Sequence, residues 1–430
     1  MFQGTPEQRE RNWEDPPFSV KGIDAVVLTH AHTDHVGYLP RLVALGFRGP
    51  IYCTRATAQL AEIVLADSAK LMREESDWRN KQGISRHQPA KPLFTEDDVK
   101  RTGSLLVPQP ADSFAVAAGI RARWRPVGHL LGARQVLLEV EGTGRILFSG
   151  DLGRFGQPTI PDPEPPFECD YLLVESTYGD RRHPEGNPLD RLAEVLIDAH
   201  ENGRTVLIPA FAMGRTQDLL YDIRSLEDEQ RIPILPIRAD SPMAKLATDA
   251  YLRAVEEHDA ETRQVREERR NPYRTHSMIF ASSKEESKKL NDENGARVII
   301  ASSGMMTGGR VMHHARRVLP DPNAVLLFPG YQSEGTPGRA ILEGATEVSI
   351  YKEPVPVRCQ VVKLDGFSAH ADYEEILTWL APLAGKPPKR TFIVHGEPPA
   401  ASAMASHLRE RLGWDHISVP GHGDSFDLSG

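Results

Sequence analysis

The 430-residue sequence predicts an α/β protein of layered sheets and helices. Two observations carry that reading. Short β-branched apolar runs alternate along most of the chain with stretches of helical period. Several of the strand-like runs end on histidine or carboxylate residues, the arrangement of a site built on loops at strand ends.

The first run, Asp24-Ala25-Val26-Val27-Leu28, is continuous and valine-rich, which reads as a buried strand. It leads directly into Thr29-His30-Ala31-His32-Thr33-Asp34-His35, and the residues from Val36 onward read as the start of a helix. Three imidazoles and a carboxylate therefore sit on a strand-to-helix turn. There His30 and His32 can share one direction while Asp34 and His35 project in another, so one loop can serve two adjacent metals. Nitrogen and carboxylate donors without thiolate suit zinc, and manganese less well. The plainer alternative is an exposed histidine-rich loop.

Farther along, Ile51-Tyr52-Cys53 reads as a short strand, residues 55–73 as a long amphipathic helix, and residues 74–92 as a polar surface excursion. Residues 120–126 alternate as a half-buried strand does and end at Gly128-His129. Residues 135–140 and 145–148 predict a hairpin whose second arm delivers Ser149-Gly150-Asp151. A lone histidine or aspartate at a strand end is most often a cap or turn residue. The metal-type loop upstream is what makes His129 and Asp151 candidate ligands.

Proline-rich punctuation at residues 161–166 and 352–356 brackets a second α/β stretch. It comprises a helix over 189–201, a strand over 204–208, a strand near Ile234, a strand over 297–300 and the loop 302–310. In that loop Ser302, Ser303 and Gly304, followed by Thr307-Gly308-Gly309, precede a helix beginning near Arg310, so free N–H groups and hydroxyls can face a phosphate. Arg215, Arg310, Arg316 and Arg317 can supply a basic lining, although each reads equally well as an ion-paired surface residue. His313-His314 is left out of the metal set, because adjacent helical residues diverge by about 100°.

Composition narrows the classes. The net charge of −9 means that a polyanionic ligand must meet a local basic surface rather than a global one. No stretch approaches the length of a membrane-spanning helix, and the first residues have no signal-like apolar core, so no membrane partner and a cytoplasmic location are expected. Cys53, Cys169 and Cys359 lie far apart, without the pairing of a disulfide framework or a structural zinc site.

Taken together, His30-x-His32-x-Asp34-His35, His129 and Asp151 resemble the ligand set of the metallo-β-lactamase superfamily. The stretches Glu175-Ser176-Thr177-Tyr178-Gly179, Asp365-Gly366-Phe367-Ser368-Ala369-His370 and Val394-His395-Gly396-Glu397 resemble the additional motifs of its β-CASP nucleases, which include RNase J and the endonuclease of the eukaryotic cleavage and polyadenylation factor. The resemblance covers nearly the whole chain. It implies an αββα sandwich with an inserted α/β β-CASP domain: residues 1–184 and 354–430 form the sandwich, and 185–353 the insertion.

The same resemblance implies two zinc ions per chain, one on His30, His32 and His129, the other on Asp34, His35 and His395, with Asp151 bridging them. A water activated between them would hydrolyse a phosphodiester bond of single-stranded RNA. Glu175 and His370 would supply the leaving-group proton, and Asp34 counts as catalytic beside its ligand role. Arg215, Ser302, Ser303, Gly304, Arg310 and Ser368 are the expected substrate contacts, and a homodimer is a permitted assembly. The competing readings are a β-CASP DNA nuclease, a small ester or lactam hydrolase, and a non-catalytic subunit of an RNA-processing complex. DNA-directed members carry valine where this chain has His395, small-substrate hydrolases lack the insertion, and every ligand position is filled. In the family, Phe2-Gln3-Gly4 normally follows an Asp-Cys-Gly type turn, so the chain is expected to be an N-terminally shortened form whose first sheet exposes apolar surface or an unpaired edge.

Overall fold

The computed structural model describes residues 1–2, 6–84, 88–110 and 112–428. The Gln3-Gly4 part of the Phe2-Gln3-Gly4 segment lies outside the described residues. Two compact bodies contain most of the chain: residues 10–182 together with 369–430, and residues 183–368. The expected division fell at 353/354. By contacts, residues 354–368 group with the second body, because the strand at Gln360–Lys363 hydrogen-bonds into its sheet.

In chain order, the first body has strands β1 (Val26–Val27), β2 (Ile51–Cys53), β3 (Leu106–Pro108), β4 (Ser113–Ala117), β5 (Ile120–Pro126), β6 (Arg134–Val140), β7 (Gly144–Phe148) and β8 (Tyr171–Glu175). The second body contributes β9 (Thr205–Pro209), β10 (Ile237–Asp240), β11 (Met278–Phe280), β12 (Arg297–Ala301), β13 (Val325–Phe328), β14 (Glu347–Ile350), β15 (Glu353–Pro356) and β16 (Gln360–Lys363). The chain then returns to the first body with β17 (Arg390–Val394) and β18 (Ile417–Ser418).

The first body is a four-layer sandwich. A parallel sheet β1-β2-β3 faces a mixed seven-stranded sheet in the order β18-β17-β8-β7-β6-β5-β4. Between them Phe114, Ala122 and Trp124 pack against Val27 and Tyr52, an aromatic filling that removes both inner faces from water. Outside the small sheet, the helix Arg55–Gln82 buries Ala69 against Leu93 and Phe94. Outside the large sheet lie the helices Tyr373–Leu380 and Pro398–Leu412. The helix from Arg55 runs nine residues beyond the expected 73, since its last turns are polar and exposed and show no apolar stripe. Gly83 in the left-handed conformation ends it. Strand β1 pairs with β2 alone, so among the described residues its other flank has no strand partner.

The strand directions explain where chemistry can collect. Strands β7, β8 and β17 are parallel neighbours, so their carboxyl ends share one edge of the sheet. Strand β5 points the same way, because it and β7 are each antiparallel to β6. The end of β1 is tied to that edge by the Arg134 N–H, which donates to the Thr29 carbonyl at 2.9 Å.

The second body is an all-parallel sheet, β11-β10-β12-β9-β13-β16, with a separate β14-β15 hairpin. Its central strands Thr205–Pro209, Arg297–Ala301 and Val325–Phe328 are almost wholly buried, which matches their unbroken apolar sequences and the burial of a parallel sheet on both faces. The strand expected near Ile234 lies at Ile237–Asp240 instead, and Ile234 is exposed. Pro233 and Pro236 flank Ile234 and cannot donate to a ladder, so pairing begins only beyond them.

Candidate metal centre

Seven side chains meet at the shared strand edge of the first body. His30 and His32 follow β1, while Asp34 and His35 lie in the short helix Thr33–Val36. His129 follows β5, Asp151 follows β7, and His395 follows β17. They form two donor quartets, His30/His32/His129/Asp151 and Asp34/His35/Asp151/His395. In the first, His32 Nδ1 is 3.2 Å from His30 Nε2 and 3.0 Å from His129 Nε2, and Asp151 Oδ2 lies 3.4 Å from both Nε2 atoms. In the second, Asp34 Oδ2 is 3.4 Å from His35 Nε2 and 3.0 Å from His395 Nε2, with Asp151 Oδ1 at 3.3 Å from His35 Nε2. Four donors about 2.0–2.1 Å from a tetrahedral ion stand roughly 3.3 Å from one another. The donor pairs given above stand 3.0–3.4 Å apart, close to that spacing, and all donors of a quartet lie within 4.8 Å of one another. The Asp151 carboxylate gives one oxygen to each, and its Oδ1 and His35 Nε2 are buried and 3.3 Å apart without hydrogen-bond geometry, an approach that a shared cation would account for. The residues present therefore fit two metal ions.

Electrostatics separates the quartets. Burial, with neighbouring imidazoles adding to it, holds His30 and His129 well below the ordinary histidine range, and burial takes His32 down to about 4. These three are neutral, the state ligation requires. In the other quartet burial opposes a charge, yet the Asp151 and Asp34 carboxylates carry His35 up to about 10 and His395 up to about 9. Both carboxyls are kept ionised: burial works against the charge on each, and the surrounding histidines hold them well below the usual carboxylate range.

Backbone geometry takes part in the positioning. His129 and His395 are left-handed, with φ of 63° and 53°, which costs of order 1–3 kcal/mol each for a non-glycine residue. At Gly153 a Cβ would stand 2.1 Å from the His129 backbone N, so only glycine lets these two loops pass. Neither feature is visible in a residue count. Thr177, in the Glu175–Gly179 stretch, holds the His395 loop: its hydroxyl lies 3.1 Å from His395 Nδ1 and also donates to the His395 carbonyl oxygen at 3.1 Å.

Beside the quartets stands an acid–base pair. The fully buried Glu175 ends β8 and faces His370 Nδ1, 3.1 Å from each carboxylate oxygen. Glu175 also accepts from the Leu152 N–H at 2.6 Å and the Thr177 N–H at 3.2 Å, which fixes the carboxylate plane. With Nδ1 engaged, His370 turns Nε2 toward the quartets, 4.0 Å from Asp151 Oδ2. Burial disfavours the imidazolium, but the Glu175 and Asp151 charges outweigh it and raise the His370 pKa.

The expected substrate contacts lie in the second body. Ser302, Ser303 and Gly304 follow β12, and Arg310 opens the helix Arg310–Val318. Arg310 is engaged internally: it pairs with the fully buried Asp240 at 2.5 Å and donates to the carbonyls of Ala281 and Ser282. Asp240 also meets His314 Nε2 at 2.7 Å, while His313 lies against Tyr351, so the two adjacent histidines do face different ways. Arg215 opens the helix Arg215–Asp228 and pairs with Asp218 at 3.4 Å. Arg316 pairs with Glu353, and Arg317 donates to the Asn291 carbonyl at 3.0 Å. Ser368 is buried, two residues before His370.

Similarity to known proteins is spread over the whole chain. Residues 2–208 match the beta-lactamase superfamily domain, 216–341 the Beta-Casp domain, and 354–420 the Zn-dependent metallo-hydrolase RNA specificity domain. A ribonuclease of Thermus thermophilus is 38% identical over 412 residues, which cover 96% of this chain and 89% of that protein. An RNase J-like protein of Methanocaldococcus jannaschii is 29% identical over 95% of this chain and 88% of its own length. Transcription termination factor FttA of the same organism is 30% identical over 93% of this chain, which spans 62% of FttA. This chain therefore belongs to the β-CASP family of metallo-β-lactamase-fold ribonucleases, metal-dependent hydrolases that act on RNA.

Proposed function

We propose that this chain cleaves single-stranded RNA with two zinc ions, in RNA processing or decay in the cytoplasm. The observation that carries the proposal is the pair of donor quartets joined through Asp151, one carboxylate oxygen turned to each. All-nitrogen and oxygen donor sets at tetrahedral spacing favour zinc. Zinc bound there supplies Lewis acidity toward a phosphoryl oxygen and brings a coordinated water toward ionisation near neutral pH.

The protein's own groups do the rest. His30, His32 and His129 enter ligation already neutral, whereas His35 and His395 must each give up a proton to bind metal. Asp34 and Asp151 hold the negative charge that two cations compensate. Glu175 fixes the His370 ring and favours its protonated form, so His370 Nε2 carries a proton for the departing ribose oxygen. The serine and glycine loop around Ser302, Ser303 and Gly304, with Arg215 and Ser368, is assigned to the RNA backbone. The three buried, unpaired cysteines suit a reducing compartment.

The test is incubation of the purified protein with 5′-labelled and 3′-labelled single-stranded RNA, with and without chelator. Cleavage lost on chelation and restored by zinc is expected, and the two labels distinguish stepwise shortening from internal cuts. Undiminished cleavage by protein shown by elemental analysis to hold no metal would refute the reading.

A further inference from the structure

One aromatic side chain in the second body has no place in the chemistry above. After β9 the chain is buried at Ala210, Ala212 and Met213, and between them Phe211 stands 46% exposed. Its backbone is immobilised from several sides. The Phe211 carbonyl accepts from the Thr216 N–H at 3.2 Å and the Thr216 hydroxyl at 2.7 Å. The buried Gln217 amide donates to the Ala212 carbonyl and to the Thr248 hydroxyl, which ties the turn to the next helix. The Ala210 N–H donates to the Ala301 carbonyl at 3.0 Å, so Phe211 stands beside the loop that begins at Ser302.

That loop runs across the ring. A Cβ on Gly304 would lie 3.1 Å from Phe211 Cδ2 and 3.0 Å from the Phe211 N, and the Gly304 carbonyl is held by the Gln332 amide at 3.0 Å. The result is an apolar plate fixed beside a loop with the hydroxyls of Ser302 and Ser303 and the open Gly308, at the carboxyl ends of parallel strands. A phenylalanine kept half in water by a rigid turn forgoes a good part of the stabilisation that full burial would give it. The adjacent loop, assigned above to the RNA backbone, supplies a reason for that position.

We propose that Phe211 is a base-stacking platform that takes one nucleobase of single-stranded RNA while the Ser302–Gly304 loop holds an adjacent phosphate. The proposal rests on the ribonuclease reading above. Stacking on an aromatic face is tolerant of base identity, since every base offers a π-face, so Phe211 contributes affinity and register rather than sequence choice. A phenylalanine with no polar tip fits that role.

The test measures equilibrium binding of a short single-stranded RNA to chelator-treated full-length protein by fluorescence anisotropy. Native protein is compared with F211A, F211L and F211W, and a second series of RNAs carries one abasic position each. Binding by F211A is expected to weaken roughly 5- to 100-fold, the range for loss of one stacked base. F211W should restore it, and F211L, equally apolar but without a π-face, should not. One abasic position should weaken binding by native protein to a similar degree and leave F211A unaffected. Equal affinity of F211A and native protein, restoration by F211L, or losses from F211A and every abasic position that simply multiply would each overturn the proposal. Native protein that cleaves RNA while F211A binds normally would sink Phe211 alone, whereas native protein that neither binds nor cleaves RNA would remove the ribonuclease reading and this one with it.

Discussion

At the residue scale, His370 and His395 are neighbours with ring centroids 5.9 Å apart, yet their partners assign them different work. His395 Nε2 faces a carboxylate of a donor quartet, and His370 Nδ1 faces Glu175. His370→Ala is therefore expected to slow the chemical step by roughly 10² to 10⁴ while zinc content stays near that of the native protein. His395→Ala should instead deplete one metal. Elemental analysis beside single-turnover kinetics checks both, and equal zinc loss in the two variants would reverse the assignments. A second expectation follows from the protons on His35 and His395, whose pKa values of about 10 and about 9 lie above neutrality. At pH 7 the metal-free site carries both protons, so loading with zinc should release about two per chain, and fewer as the pH rises past 9. Calorimetry of zinc binding in buffers of differing ionisation enthalpy counts them; zero net release would contradict the field described for the Asp34 quartet.

At the scale of single elements, the helix Arg215–Asp228 contains Asp222, which is buried and pushed up to about 8 by that burial, with Asp218 adding to it and Arg215 partly offsetting it. In the unfolded chain the same group ionises near 3.8. A carboxyl with a raised folded-state pKa lends stability at low pH that is lost as the pH climbs toward 8. Asp222→Asn should therefore match the native protein near pH 4 and exceed it at pH 8 by several kcal/mol, on the order of 5. Denaturant melts at the two pH values decide this, and a constant difference would show that Asp222 is not the titrating group. Gly153→Ala tests the crossing of the β5 and β7 loops, where the added methyl would press on backbone rather than on a side chain that could move aside. Displacement of His129 should lower zinc affinity of the first quartet by roughly 10- to 100-fold.

The strand-to-helix turn at His30–His35 was legible in the sequence because a valine-rich run and a polar ligand cluster are both local patterns. The strands preceding His129 and Asp151 were legible for the same reason. Other features depend on long-range contact and leave no local trace. The left-handed backbone of His129, the attachment of Thr177 to His395, and the pairing of Arg310 with Asp240 are examples, each joining segments distant in sequence or set by packing. The pairing of β16 with β13 is a further case: the prolines at 354 and 356 read as punctuation, yet they lie in a hairpin strand, and the chain returns to the second body's sheet before leaving it.

For the whole molecule, the donor quartets belong entirely to one of the two bodies. A ligand that binds only one folded body stabilises that body's transition by mass action. Calorimetric melting with and without chelator should shift one transition and leave the other in place, and equal displacement of both would show that the bodies unfold as one. Net charge sets a second molecular property. With a formal charge of −9, and with Arg310 and Arg316 of the expected lining paired to Asp240 and Glu353, the phosphate contacts proposed above are mostly uncharged hydroxyl and N–H groups. The RNA affinity should therefore fall with salt at a logarithmic slope of only about −1 to −3.

Strand β17 inserts between β8 and β18, and the chain does not reach it until the second body has been completed. At translation rates of about 5–20 residues per second, roughly 10 to 50 s pass between the emergence of Asp151 and that of His395. Throughout that interval β8 is the open rim of a half-built sheet, and the first quartet has all four donors while the second still lacks one. The nascent protein thus has a period in which one metal position can be filled before the other exists, with a hydrogen-bonding edge exposed to other chains on the same message.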